Sequence, residues 1–141
     1  MLVRSEVAEL KSTDDIVRAR QRSRALAVES GFSLVEQTKI VTAVSELARN
    51  TVEYGGGGTA TFELWNDGAR RGLRIVFQDQ GPGIADLDLA LKDGYTTGSG
   101  LGLGLGGARR LMNEFAIDSA PGQGTTVSVT RWRGVRGEGS G

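Results

Sequence analysis

The chain has no cysteine and no histidine. Without cysteine there is no disulfide framework and no thiolate metal site, as expected of a cytoplasmic protein. Without histidine, no mechanism that needs a histidine nucleophile, base or metal ligand is open to it. No run of 18 apolar residues occurs, so no segment is predicted to span a membrane. The opening residues, MLVRSEVAEL, lack the apolar stretch of a secretory leader. There is no excess of one charge either: 17 acidic residues balance 17 basic ones. That argues against a nucleic-acid partner, which calls for a basic surplus, and against a polybasic membrane anchor.

What the sequence has in quantity is glycine, 22 of 141 residues, about twice the usual share of roughly 7%. The glycines cluster at 55–58, 81–83, 94–107, 122–124 and 134–141. Glycine clustered between periodic segments suggests loops that approach a ligand closely. The last cluster has no apolar pattern and reads as a flexible tail over 134–141, after one domain over 1–133.

The apolar pattern predicts a strand over 2–10 and a helix over about 14–30, started by Thr13-Asp14-Asp15 and stopped by Gly31. Ser33 with Glu36 forms a capping box for a second helix that runs to Tyr54 and stops at Gly55. On that helix Val44, Leu47, Ala48 and Thr51 face the core, whereas Glu46 and Asn50, four apart, share the other stripe. Strands over 59–65 and 72–78 flank an Asn66-Asp67-Gly68 turn. A short helix over 86–92, a polar loop over 93–100 and a helix from Leu101 to about Glu114 follow. Strands over 115–119 and 125–133 close the chain. Strands that are not separated one by one by helices predict an α+β two-layer sandwich and not a doubly wound sheet.

Three constellations bear on chemistry. Gly102-x-Gly104-x-x-Gly107 matches the dinucleotide pattern, but a polar loop precedes it and it lies late in the chain, outside a Rossmann context. No Gly-Lys-Ser/Thr exists, so it is not a P-loop. A glycine loop leading into a helix remains suited to phosphate, and equally to a plain surface loop. Asp79-Gln80-Gly81-Pro82-Gly83 ends a strand. Its carboxylate can accept from a flat amine such as that of adenine, with Gly81 and Gly83 leaving room for the base, or it can serve a simple turn. Glu46 and Asn50 offer a carboxylate and an amide oxygen suited to Mg²⁺, or merely a solvated helix face.

Their order along the chain separates these alternatives. SELARN (45–50), DQGPGI (79–84), GSGLGLGLGG (98–107) and PGQGTTVSV (121–129) together resemble the N box, the two glycine boxes and the last box of the GHKL, or Bergerat-fold, ATPases. DDIVRARQ (14–21), TAVSELARN (42–50), QDQGPGI (78–84) and GARRLMNEFAIDS (107–119) are most similar to the bacterial RsbT-type switch kinases, relatives of anti-sigma factors. The resemblance implies helices on one face of a mixed, largely antiparallel sheet. It implies a serine/threonine protein kinase acting on a STAS-domain antagonist and activating a metal-dependent serine phosphatase by binding it. A homodimer is compatible with it. By the same resemblance Asn50 holds Mg²⁺, Glu46 activates the attacking hydroxyl, and Asp79, with Gly81, Gly83 and Thr125, binds adenine. Gly100, Gly102 and Gly104 likewise cover the phosphates of ATP. Apart from the resemblance, residues 93–107 combine many glycines with Thr96, Thr97 and Ser99 and lack an apolar stripe, which predicts a lid mobile without nucleotide and ordered with it. Where many relatives carry a histidine near the end of the N-box helix, this chain has Tyr54. The competing expectation is an anti-sigma-like protein that sequesters a transcription factor.

Overall fold

A computed structural model of the chain describes residues 1–91 and 104–133. Five strands alternate unevenly with helices: β1 (Leu2–Leu10), α1 (Thr13–Glu29), α2 (Leu34–Arg49) continuing as a π-helical turn (Asn50–Tyr54), β2 (Gly58–Asp67), β3 (Arg70–Asp79), α3 (Leu87–Ala90), α4 (Leu105–Leu111), β4 (Glu114–Ser119) and β5 (Thr125–Arg133). The sheet order is β1-β2-β3-β5-β4, and all four pairings are antiparallel. The expected α+β layer architecture is present. The sheet, expected to be mixed and largely antiparallel, is antiparallel at every pairing among the described residues.

Alternation along the strands makes the layers. Ala60 and Phe62 of β2, Leu73, Ile75 and Phe77 of β3, and Val127 and Val129 of β5 point to one face and are buried. They meet Ala19, Leu26 and Ala27 of α1 and Ile40, Ala43, Val44 and Leu47 of α2, which are buried as well. The register Phe62–Ile75–Val129 carries this apolar row straight across three strands. The opposite face of the sheet carries Thr61, Arg74, Ser128 and Ala116, none of them fully buried.

Several boundaries differ from the sequence reading, each for a local reason. Helix α1 is capped by Ser12 and not by the Thr13–Asp15 run: its hydroxyl accepts from Asp15 N, while the Asp15 carboxylate accepts from Ser12 N. The Ser33–Glu36 box of α2 is present as expected. The expected α-helix to Tyr54 instead changes at Asn50 to π geometry, and Gly55 N donates to Asn50 O at 2.8 Å. The last helix, expected from Leu101 to about Glu114, is shorter within the described residues. Gly104, at φ 63°, caps its start, and Met112 is already extended. The loop over 93–100, Gly100, Gly102 and the tail 134–141 lie outside the described residues, and only positions 104–107 of the expected lid are described.

Candidate functional site

The edge of the site is the carboxyl end of β3. Asp79 closes that strand opposite Thr125, the first residue of β5. The two are only 9% and 8% exposed. Asp79 Oδ1 accepts from Gly81 N at 2.9 Å. Burial raises the Asp79 carboxyl above its ordinary value, and hydrogen bonds from the Gly81 and Thr125 backbones partly oppose that rise. A buried carboxylate without a cationic partner is costly to keep in a core, which makes this a candidate for ligand recognition.

Gly55 follows the π turn and lies against this carboxylate. A Cβ at Gly55 would sit 2.4 Å from Asp79 Cγ, and one at Gly81 would sit 2.7 Å from Gly55 Cα. Gly83, at φ 75°, would bring a Cβ within 1.9 Å of Ala120 O. Gly81 and Gly83 thus have a packing reason, backbone on backbone, besides the room they leave beside a flat ligand. The Tyr54 hydroxyl donates to Gly83 O at 2.9 Å and ties the end of the helix to the glycine segment.

Between these elements runs a narrow cavity of about 20 Å³, lined by Asn50, Tyr54, Asp79, Ile84, Leu105 and Thr125 among others. It is wide enough for about one water molecule. A purine is larger than this cavity as it stands. A far larger depression, about 630 Å³, lies on the sheet's other face between Trp65 and Trp132. It contains none of the candidate site residues named from sequence, and its size reflects an open sheet surface.

Glu46 and Asn50 stand on one side of α2, and Asn50 N donates to Glu46 O across the last α-turn. The spacing read from sequence is kept because the π turn begins only at Asn50. Asn50 lines the cavity with Asp79 and Thr125. Glu46 does not line it. Its side chain is 32% exposed, 3.6 Å from the Arg49 guanidinium, and a Cβ at Gly104 would sit 2.6 Å from Glu46 Oε2. So the last glycine before α4 rests on the Glu46 carboxylate, outside the Asp79 cavity and one helical turn from Asn50. The structure therefore brings together Glu46, Asn50, Asp79, Gly81, Gly83, Gly104 and Thr125, whereas Gly100 and Gly102 fall outside the described residues. Sequence reasoning missed Gly55, taken only as a helix stop, and Ser119. The Ser119 hydroxyl lies 2.9 Å from Ile84 N, 3.1 Å from Gly124 O and 2.8 Å from Thr125 Oγ1. No spacing signal marks a serine at the end of a short strand.

The frame is an antiparallel sheet under helices, with an amide-bearing helix end and a buried strand-end aspartate lining one cavity. Residues 35–133 match the family described as histidine kinase-, DNA gyrase B- and HSP90-like ATPases, and the chain belongs to that family. It is 48% identical over 118 residues to the serine/threonine-protein kinase RsbT of Bacillus subtilis, covering 84% of this chain and 89% of that one. It is 30% identical over 122 residues to an anti-sigma F factor of Thermoanaerobacter, covering 82% and 84%. Among solved structures, the RsbU and RsbW domains of a Mycobacterium tuberculosis protein superpose with a TM-score of 0.63 at 22% identity, over 92% of this chain and 32% of that one. The catalytic domain of histidine kinase ThkA gives 0.51 at 14%, over 89% and 95%. Those two likenesses bear on the fold alone.

Proposed function

We propose that this chain is an ATP- and Mg²⁺-dependent serine/threonine protein kinase of a partner-switching module. On this reading it phosphorylates a STAS-domain antagonist and activates a metal-dependent phosphatase by binding it. The kinase class rests on the 48% identity to a protein kinase over most of both chains. The observation that carries the site is the convergence of Asn50, Asp79 and Thr125 on one cavity, with Glu46 one turn beyond it against Gly104.

The division of labour follows from the chemistry of each group. Asp79, an acceptor at the closed end, takes the exocyclic amine of adenine, and Thr125 lies beside the same edge. Asn50 offers a neutral amide oxygen of the hard kind that Mg²⁺ takes, and such an ion usually completes its shell with phosphate and water. Among the described residues no three His, Cys, Asp or Glu side chains gather as a metal cage. That fits an ion that arrives with the nucleotide and neutralises its phosphates. Glu46, part-exposed and beyond the cavity, is on this reading the group that accepts the proton of a partner's serine or threonine hydroxyl as it attacks. Its nearness to Gly104 puts it at the end of the glycine segment assigned to the phosphates.

The anti-sigma reading shares this site and differs in the partner, and the 30% identity to an anti-sigma F factor keeps it as the second reading. Capture with the chain as bait from its native cytoplasm separates the two. Recovery of a STAS protein and a phosphatase, with ATP-dependent phosphorylation of the former, is the expected outcome. Recovery of a sigma factor without phosphate transfer overturns it. No helix among the described residues is long and apolar enough to cross a membrane.

A further inference from the structure

The geometry points to Ser119 as a positioning residue for the base-binding edge: its hydroxyl fixes the proton of Thr125 so that Thr125 presents only acceptor lone pairs to the cavity beside Asp79. This rests on the nucleotide reading above and deepens it.

A serine hydroxyl has one proton and two lone pairs. Ser119 Oγ has three partners in range, and two of them leave no choice. Ile84 N, at 2.9 Å, can only donate, so it occupies one lone pair. Gly124 O, at 3.1 Å, can only accept, so it takes the proton. The third contact, Thr125 Oγ1 at 2.8 Å, is then a donation from Thr125 into the remaining lone pair. The reverse assignment gives the Ser119 proton to Thr125 and leaves the contact with Gly124 O without one. The first arrangement satisfies every group at once and is the one the network selects.

Two results follow. Ser119 clips the glycine segment, through Ile84, to the turn that enters β5, through Gly124 and Thr125. Thr125 lines the cavity, and its hydroxyl proton is directed at Ser119 Oγ. Asp79 and Thr125, register partners at the mouth of two adjacent strands, then form a pair of acceptors. Adenine presents a donor, its 6-amino group, next to an acceptor, N1. The amine meets Asp79 directly. N1 meets Thr125 only through a water that donates to both, so recognition at position 1 depends on the direction of the Thr125 hydroxyl. Ser119 sets that direction while standing outside the cavity itself.

The test is the ratio of affinities for ATP and 1-deaza-ATP, which replaces N1 with carbon, measured by calorimetry on the full chain. Wild type favours ATP by about five- to tenfold, the worth of one neutral hydrogen bond. In Ser119→Ala the ratio falls to about one, and in Ser119→Thr it returns. Thr125→Val gives the same ratio as Ser119→Ala, and the double variant falls no further. Three results overturn the relay: a wild-type ratio near one, a Ser119→Ala ratio equal to wild type, or an equal loss of both ligands with a lower Tm. Asp79→Asn separates this from the underlying reading. Undiminished ATP affinity there overturns the base pocket itself, and the relay with it. Diminished affinity with an unchanged Ser119→Ala ratio overturns the relay alone.

Discussion

At the scale of the residue, Asp79 carries a cost to the fold that the proposed nucleotide site would explain. Its carboxyl is buried, and burial raises its proton affinity above that of the unfolded chain. Stability from such a group is fully present below the unfolded value and is lost as pH rises through the folded one. Asp79→Asn removes that loss. The nucleotide-free variant is therefore expected to be at least as stable as wild type near pH 7, with the gap closing as pH falls below about 4, the ordinary aspartate value, where the carboxyl becomes neutral in the unfolded chain as well. Melting curves across that range check it, and a variant clearly less stable than wild type at neutral pH contradicts it. The same substitution is expected to weaken ATP binding by about ten- to a hundredfold, since a hydrogen bond to a charged acceptor contributes roughly 1.5–3 kcal/mol. A change that spares the fold but removes the ligand marks a residue kept for binding.

At the scale of the element, the π turn Asn50–Tyr54 is the feature that shapes the site. π turns inside α-helices occur often at functional positions, because the added residue swings side chains out of the regular stripe. Here the turn carries Asn50, Thr51 and Tyr54 onto the cavity wall and ends at Gly55, pressed on Asp79. Gly55 has an ordinary φ of −81°, so alanine there brings no backbone strain, only a methyl group against the Asp79 carboxylate. Gly55→Ala is expected to weaken ATP binding by about tenfold, the loss of one charge-assisted hydrogen bond. Calorimetry showing native affinity would mean that Asp79 moves aside without cost. The start of the same helix gives a contrast. Ser33→Ala removes a cap worth about 1 kcal/mol, so it lowers Tm and leaves ATP affinity unchanged, because Ser33 caps the far end of the helix that ends at Asn50.

At the scale of the whole molecule, the proposed function puts the phosphate acceptor on another chain, and on that reading binding and transfer come apart in experiment. Glu46 stands outside the base cavity and is open to solvent on one side. Glu46→Ala is expected to bind ATP and its protein partner with near-native affinity. It should transfer phosphate at least a hundredfold more slowly, since general-base help is worth roughly two to four decades in rate. Single-turnover phosphorylation of a partner serine at saturating ATP decides this. A variant as fast as wild type removes Glu46 from the chemistry, whereas Asn50 and Asp79 still define the nucleotide site. Asn50→Ala is expected to abolish transfer at every Mg²⁺ concentration in a titration, and a wild-type titration curve would refute its role with the metal.

Much of this was open to sequence alone. The capping box at Ser33 and Glu36, the i,i+4 placement of Glu46 and Asn50, and Asp79 at a strand end all depend on contacts within a few residues, which the order of residues determines. The period of two in β2, β3 and β5 likewise decided which face would be buried, because alternation is a property of the strand itself. Other features required the tertiary fold. Nothing local sets Thr125 beside Asp79: that register comes from β5 inserting between β3 and β4, a pairing between segments far apart in the chain. The change to π geometry at Asn50 is not written in helix propensity. Gly55 reads as a helix stop until the packing of Asp79 shows what a side chain there would strike. Ser119 carries no pattern at all, because its hydroxyl draws its importance from three partners that only the closed sheet and its loops bring within reach. Local chemistry chose the groups, and long-range strand pairing decided which of them face one another.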